Sequence, residues 1–475
     1  MSRIPPPTLA AFPSEILFII AQYLNVTALN SLLRSCQRFY CLFDSVLYDQ
    51  GRRYINVPDS GTPLIWAVKH NQTKVLKRLL KGGADWPSDN KNGTTALHEA
   101  ILRDNYEALE VLLAAGAELL VQDCDGNIAL QVAARGGKDQ AARLLISEHL
   151  KRQAWTEFEP PWQCALSDAI RTQRESIVAL LLDERTTIAS APRDAIQATV
   201  HPLLHSIATW HGHCGILQLL CDHGADPTRS RGGPGSATLL HPTAQNGHVE
   251  AMRLALRYGA DLTARDTLGQ TALHIAAACG HPAAMDVLFE EGGVPVDIHA
   301  SGSMTPLMSA AIGGQERAAE LLLDRGADAR ARNDTGFNAL DLAIPHYPPL
   351  RLIELLLNSG TEVCPLAKEV RMTALHWAAR TGQAAVLDLL ARAGAPVDRV
   401  DQRGRTALHL AVREVHARAV DVLLAAGADP NALDETDCSP LDHARLAGSE
   451  EIVERLIGAG AVVKKLDLKQ MLGSM

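Results

Sequence analysis

The stretch Gly404 to Thr436, GRTALHLAVREVHARAVDVLLAAGADPNALDET, decides the fold. It reads as two short helices and a turn. Thr406 is suited to cap the first helix, its hydroxyl accepting a bond from an orphan backbone N–H. Leu408, Ala411 and Val412 recur at helical spacing and give one apolar face. Val420, Leu423 and Leu424 do the same in the second helix. Gly427 follows, where a left-handed C-cap favours a residue without a Cβ. Ala428-Asp429-Pro430-Asn431 is turn chemistry. Isolated helices below about 12–15 residues are marginal in water. The unit must therefore bury its apolar face against a similar neighbour.

The rest of the chain supplies those neighbours. The tetrapeptide leucine recurs at Leu64, Leu97, Leu130, Leu166, Leu204, Leu240, Leu273, Leu307, Leu340, Leu375, Leu408 and Leu441, in steps of 33 to 38 residues. TALH stands at Thr95–His98, Thr271–His274, Thr373–His376 and Thr406–His409. GAD stands at Gly83–Asp85, Gly224–Asp226, Gly259–Asp261, Gly326–Asp328 and Gly427–Asp429. Two markers sharing a period near 33 resemble the ankyrin repeat, over about 400 residues. The resemblance implies an all-α solenoid of about twelve helix–turn–helix units at 61–466, each burying its face on the next. The phase loosens at 126–235 and again at 336–369, where Pro345, Pro348 and Pro349 should end a helix early. Insertions in such a stack go to loops, often on the binding face. The twelfth unit carries Glu450, Glu451, Glu454, Lys464 and Lys465, which suits a cap facing water.

The N-terminus does not share this phase. Residues 1–8 read as a Pro-rich tail, 51–60 as a polar linker and 467–475 as a C-terminal tail. Between Phe12 and Phe43, Ile16, Leu17, Ile20 and Leu24 make one helical stripe, and Leu29, Leu32, Leu33, Cys36 and Phe39 another. The run Phe12-Pro13-Ser14-Glu15-Ile16-Leu17, with Ile20, Tyr23-Leu24, Leu29, Leu32, Cys36 and Arg38-Phe39, resembles an F-box at 9–50. Phe12 replaces the family's usual leucine and Ser35 its usual valine. The resemblance implies a three-helix module that docks the Skp-type adaptor of a cullin–RING (SCF-type) ubiquitin ligase. Phe12, Pro13, Glu15, Ile16, Leu17, Ile20, Leu24, Leu29, Leu32, Cys36 and Phe39 would form that contact. About 40 residues make a poor core alone, which also points to a partner.

Composition narrows the function. The 475 residues carry a formal net charge of −9, which does not favour nucleic-acid phosphates. No apolar run reaches the 18 or so residues of a membrane span, and Pro5-Pro6-Pro7 is unlike a signal peptide. The nine cysteines are scattered without a Cys-x-x-Cys pair, as expected of reduced thiols in the cytoplasm or nucleus. Phosphate-binding, nucleophile-elbow and zinc-protease motifs are missing. Gly232-Gly233-Pro234-Gly235 has no Lys-Ser/Thr after it and reads as a loop. The expectation is a protein that is no enzyme and needs no cofactor or metal.

Eighteen histidines invite a metal reading, with His211-Gly212-His213-Cys214 the tightest cluster. Zinc sites need four ligands at paired spacings. The resemblance gives another role: His98, His205, His241, His274, His376 and His409 occupy the tetrapeptide position, which ties neighbouring repeats through backbone and threonine bonds. His213, His248 and His281 precede second helices. Trp66 and Trp377 sit on helical faces and read as core. Trp86 and Trp210 are candidate anchors, and Trp155 and Trp162 are equally compatible with binding and with packing.

In the ankyrin family the residues after the Ala-Ala pair of the first helix face the concave groove. Here they include Lys69, Arg103, Arg135, Arg171, Gln245, Asn246, Arg380 and Arg413. Most are positive in an acidic chain. Either the groove takes an acidic or phosphorylated segment of a protein substrate through arginine forks, or these residues reflect the basic bias of this position in the family. The expected function is a substrate-recognition adaptor of the ligase. The alternative is an ankyrin scaffold or inhibitor that binds one protein, with its N-terminal helices as a cap.

Overall fold

The computed structural model describes residues 63–81, 94–152, 161–183, 213–227, 237–363 and 372–462. The F-box-like residues Phe12 to Phe39, the linker and both tails, Trp86, Trp155, Trp210, His205, His211 and the Gly232–Gly235 loop lie outside them.

Two compact units divide the chain. The described part of the first holds four helix pairs: α1 (Pro63–Lys69) with α2 (Thr73–Lys81), α3 (Ala96–Leu102) with α4 (Tyr106–Ala114), α5 (Ala129–Gly136) with α6 (Asp139–Arg152), and α7 (Pro161–Arg171) with α8 (Glu175–Leu182). A single helix, α9 (Cys214–Asp222), falls across the division.

The described part of the second unit holds seven pairs. They are α10 (Leu240–Asn246) with α11 (Val249–Arg257), α12 (Ala272–Cys279) with α13 (Pro282–Gly292), and α14 (Pro306–Ile312) with α15 (Glu316–Asp324). Then come α16 (Ala339–Ala343) with α17 (Leu350–Asn358), and α18 (Ala374–Arg380) with α19 (Ala384–Arg392). Last are α20 (Ala407–Arg413) with α21 (Ala417–Ala425), and α22 (Pro440–Leu446) with α23 (Glu450–Gly458). Within each unit first helices pack on first helices, and second on second. Among the described residues the β pairing is a single bridge, Gln122 to Ile128.

Small apolar residues let first helices approach closely. Ala100, Ala133, Ala134, Ala169, Ala276, Ala311, Ala378 and Ala411 are all buried, as are the phase leucines of the described repeats. The turns are equally regular. Gly427 takes φ 88°, with Ala428 N–H on Leu423 O and Gly427 N–H on Leu424 O, each at 3.0 Å. That is a Schellman cap satisfying two orphan carbonyls. A second left-handed position closes the first helix: Gly382 has φ 71°, and a Cβ there would meet the His416 ring at 2.7 Å. At hairpin tips an Asp or Asn side chain takes the N–H groups two and four residues on, as Asp401 does from Arg403 (2.8 Å) and Arg405 (2.9 Å).

The irregular stretches resolve into specific departures. α6 runs to fourteen residues, longer than any other described second helix. α16 keeps only five and passes into a 3-10 turn at Ile344–His346. Pro345 and Pro348-Pro349 explain the early stop, since none donates to a helical carbonyl. In the twelfth repeat Glu450, Glu451 and Glu454 are exposed, as are Leu446 and Ile457.

Candidate binding surface on the first-helix ends

The tetrapeptide builds the rigid base of the surface. Thr406 caps α20, and His409 at the third helical position answers it, a capping box with histidine in place of Glu or Gln. The Thr406 N–H donates to His409 Nδ1 (3.2 Å), so Nε2 carries the proton and donates to Cys438 O of the next repeat (3.2 Å). His376 does the same with Thr373 N–H (3.1 Å) and Arg405 O (3.0 Å), and His274 with Thr271 N–H (3.3 Å) and Met304 O (3.0 Å). His241 reaches Gln270 O at 3.1 Å and His98 reaches Asn127 O at 3.1 Å. Burial holds the imidazoles of His98, His274, His376 and His409 below their ordinary value. These histidines are structural ties, as the sequence implied.

A second tie was not foreseen. His281 Nε2 bonds Gln245 O (3.1 Å) and His416 Nε2 bonds Arg380 O (3.2 Å), each joining the start of a second helix to the previous repeat's first-helix end. Its signal in the sequence was a histidine just before a second helix, as His281 stands before α13.

The basic residues expected to line the groove stand exposed at those first-helix ends, with Lys69 half-buried. They are not open forks. In the first unit Arg103 pairs with Glu99, and Asp168 lies between Arg135 (3.1 Å) and Arg171. Burial, then the charges of Arg103 and Lys69, lowers the His70 imidazole. In the second unit Arg413 meets Glu414 at 3.0 Å. Arg380 differs: its guanidinium lies over the Trp377 ring at 4.0 Å. Gln245 and Asn246 are exposed, and Asn246 Nδ2 turns back to Pro242 O at 2.9 Å.

Three of these partners lie at a spacing the sequence shows. Glu99, Asp168 and Trp377 stand three or four residues before Arg103, Arg171 and Arg380, one helical turn down the same face. Trp377 is thus half-buried beneath an arginine rather than core, whereas Trp66 is buried and Trp162 packs inside, 3% exposed. Among the described residues the cysteines are free thiols.

An ankyrin-repeat family model (three copies) matches residues 17–123, 204–301, 346–434 and 375–467, and a single-repeat model matches 303–334. The chain belongs to the ankyrin-repeat family. Ankyrin repeats of the B-cell lymphoma 3 protein homolog of Mus musculus are similar: 40% identical over 144 residues, 29% of this chain and 32% of that protein. The ankyrin repeat protein nuc-2 of Neurospora crassa is 30% identical over 192 residues, 40% of this chain and 18% of that protein. The E3 ubiquitin-protein ligase KEG of Arabidopsis thaliana is 28% identical over 282 residues, 56% of this chain and 17% of that protein. The chain thus spans a third or less of the length of these relatives. A solved structure of the ankyrin repeat domain of Bcl-3 superposes with TM-score 0.41 at 25% identity, covering 48% of this chain and all of that one. Ankyrin repeats serve protein–protein interaction, and this chain has the frame for it. The first family match begins at residue 17, inside the stretch that resembles an F-box.

Proposed function

We propose that the chain is a non-catalytic substrate adaptor of a cullin–RING ubiquitin ligase. The N-terminal module docks the Skp-type adaptor, and the ankyrin array holds a protein substrate. The observation that carries this reading is the juxtaposition of two patterns in one chain: Pro13-x-Glu15-Ile16-Leu17 with Cys36-x-Arg38-Phe39, directly followed by ankyrin repeats. The likeness to a plant E3 ubiquitin-protein ligase supports it. Rate enhancement would come from effective concentration, the substrate being held beside a charged conjugating enzyme. Such an adaptor works in the cytoplasm or nucleus and needs neither cofactor nor active site.

The test is co-purification of the full chain, and of its Leu17→Asp variant, with the Skp-type adaptor. Burying one such leucine is worth about 1.5–3 kcal/mol, so the variant loses at least tenfold in capture while the array's thermal unfolding is unchanged. Capture by the variant at wild-type strength sinks the assignment. A second reading, a scaffold or inhibitor with no part in ubiquitination, draws on the family match that starts at residue 17 and treats the N-terminal helices as a cap. Absence of capture by either protein supports it.

A further inference from the structure

The first-helix ends of the second unit change character along the stack. In repeats six to nine they read Gln245-Asn246-Gly247, Ala278-Cys279-Gly280, Ile312-Gly313-Gly314 and Pro345-His346-Tyr347, with no lysine, arginine or carboxylate. Ile312 is 36% exposed and Tyr347 68% exposed, the latter in a left-handed conformation (φ 55°) that turns it out of the helix. These ends are held rigidly side by side. A Cβ on Gly314 would lie 3.5 Å from Pro349 Cδ, and Gln383 Nε2 donates to Ile344 O at 2.9 Å.

Repeat ten then presents a cation of an unusual kind. Arg380 is exposed, and among the described residues no carboxylate pairs with it, unlike Arg103, Arg135, Arg171 and Arg413. Its contact is the Trp377 ring, 4.0 Å beneath. Stacking on an aromatic face fixes a guanidinium plane while leaving its edge N–H groups, a fork that matches an oxyanion. A side chain already ordered loses less entropy on binding.

Taking the protein-binding reading above as its base, we infer that this surface takes an extended peptide segment of the partner, with an apolar side chain on Ile312 and Tyr347 and a carboxylate or phosphate on Arg380. Charge complementarity selects that occupant: exposed Ile312 and Tyr347 on helix ends without lysine, arginine or carboxylate, followed by Arg380, with which no carboxylate pairs among the described residues. The spacing is set by the stack. Two repeat steps at about 10 Å each separate Ile312 from Arg380, and an extended chain covers that in about six residues at roughly 3.3 Å per residue.

The experiment uses the full chain and an immobilised octapeptide library. Leucine or phenylalanine stands first, the centre is randomised, and position seven is Glu, phosphoserine, Gln or Lys; the reversed order is included. The Glu and phosphoserine pools are expected to retain the protein at least tenfold better than the Gln and Lys pools. Phosphoserine above Glu assigns a phosphate, and Glu equal or above assigns a carboxylate. Arg380→Gln removes the preference without shifting thermal unfolding, while Arg413→Gln keeps it. Equal retention by all four pools, retention by none, or an intact preference in Arg380→Gln overturns the inference. Adaptor capture is read separately on the same proteins. Its loss with the anion preference intact counts against the ligase role alone.

Discussion

Repeats nine and eleven perform one task with opposite chemistry. In repeat eleven the tetrapeptide is Thr406-Ala407-Leu408-His409, and one neutral imidazole both closes the capping box and reaches Cys438 O in the next repeat. In repeat nine it is Asn338-Ala339-Leu340-Asp341. Asp341 Oδ2 accepts the Asn338 N–H at 3.2 Å, but a carboxylate has no donor for the neighbouring carbonyl. Asn338 makes the crossing instead, Nδ2 to Glu362 O at 2.8 Å. Asp341 Oδ1 is left buried without a partner, and burial pushes the carboxyl up to about 7. These two repeats thus make the same bond to the next repeat from different residues. What the residue decides is how polarity is left over in the core. Histidine leaves none, and aspartate leaves an oxygen.

The largest effect comes from making repeat eleven resemble repeat nine. His409→Asp removes the bond to Cys438 O and buries a carboxylate in its place. The expected loss is about 3–4 kcal/mol by urea unfolding at pH 7.5, the cost of orphaned buried polar groups. Adding Thr406→Asn restores a side chain able to cross, so the double variant recovers part of the loss. A double variant no better than the single would mean that repeat nine relies on something beyond Asn338.

The converse change is smaller. Asp341→Asn keeps an acceptor for Asn338 N–H and removes the charge. At pH 8 the wild-type carboxyl is ionised in the folded state against its burial, so the variant gains about 2–3 kcal/mol. Below pH 7 the folded carboxyl binds a proton while the unfolded one, near 3.8, does not. The wild type regains stability as pH falls through that window, and the advantage of Asn shrinks. The histidine ties carry the other sign. His98, His274, His376 and His409 sit below 6.5 when folded, so the unfolded chain takes up more protons as pH falls from 6.5. Their contribution is complete above that value and is lost through their folded values. Unfolding midpoints at pH 8, 7, 6 and 5 separate the two. The fall below 6.5 should flatten in His376→Gln, and an unchanged slope would show that this tie does not titrate.

This comparison also marks how far sequence reading reached. The period, the threonine cap, the glycine after Ala425-Ala426 and the tying histidines were legible because each is a local rule repeated in phase. The early stop of α16 followed from three prolines. The partners of Arg103, Arg171 and Arg380 lie one turn down the same helix at spacings that can be read, whereas Asp168 reaches Arg135 from the next repeat, which no local spacing shows. The same holds for Asp341: replacing histidine by aspartate was visible, but its burial depends on neighbours from other repeats. The N-terminal pattern is a different case, resting on residues 12–43 alone and on the adaptor experiment.

The smallest effect concerns the residue that ends each first helix in the left-handed region. Repeat ten uses Gly382 there (φ 71°), and repeat eleven uses Val415 (φ 58°), a β-branched residue about half exposed. Left-handed backbone costs an ordinary L-residue about 1–2 kcal/mol, and branching at Cβ makes the position a true outlier. Glycine removes that strain but gives the unfolded chain more freedom, an offset of roughly 0.4–1 kcal/mol. Val415→Gly should therefore raise stability by only about 0.5–1 kcal/mol. Val415→Asn, which tolerates the conformation without glycine's entropy, should equal or exceed it. Both are read from thermal melts against wild type. A gain in Asn with none in Gly would show that unfolded-state entropy nearly balances the strain. A loss in both would show that Val415 contributes packing that outweighs its backbone cost, and that the two repeats close their helices by different means.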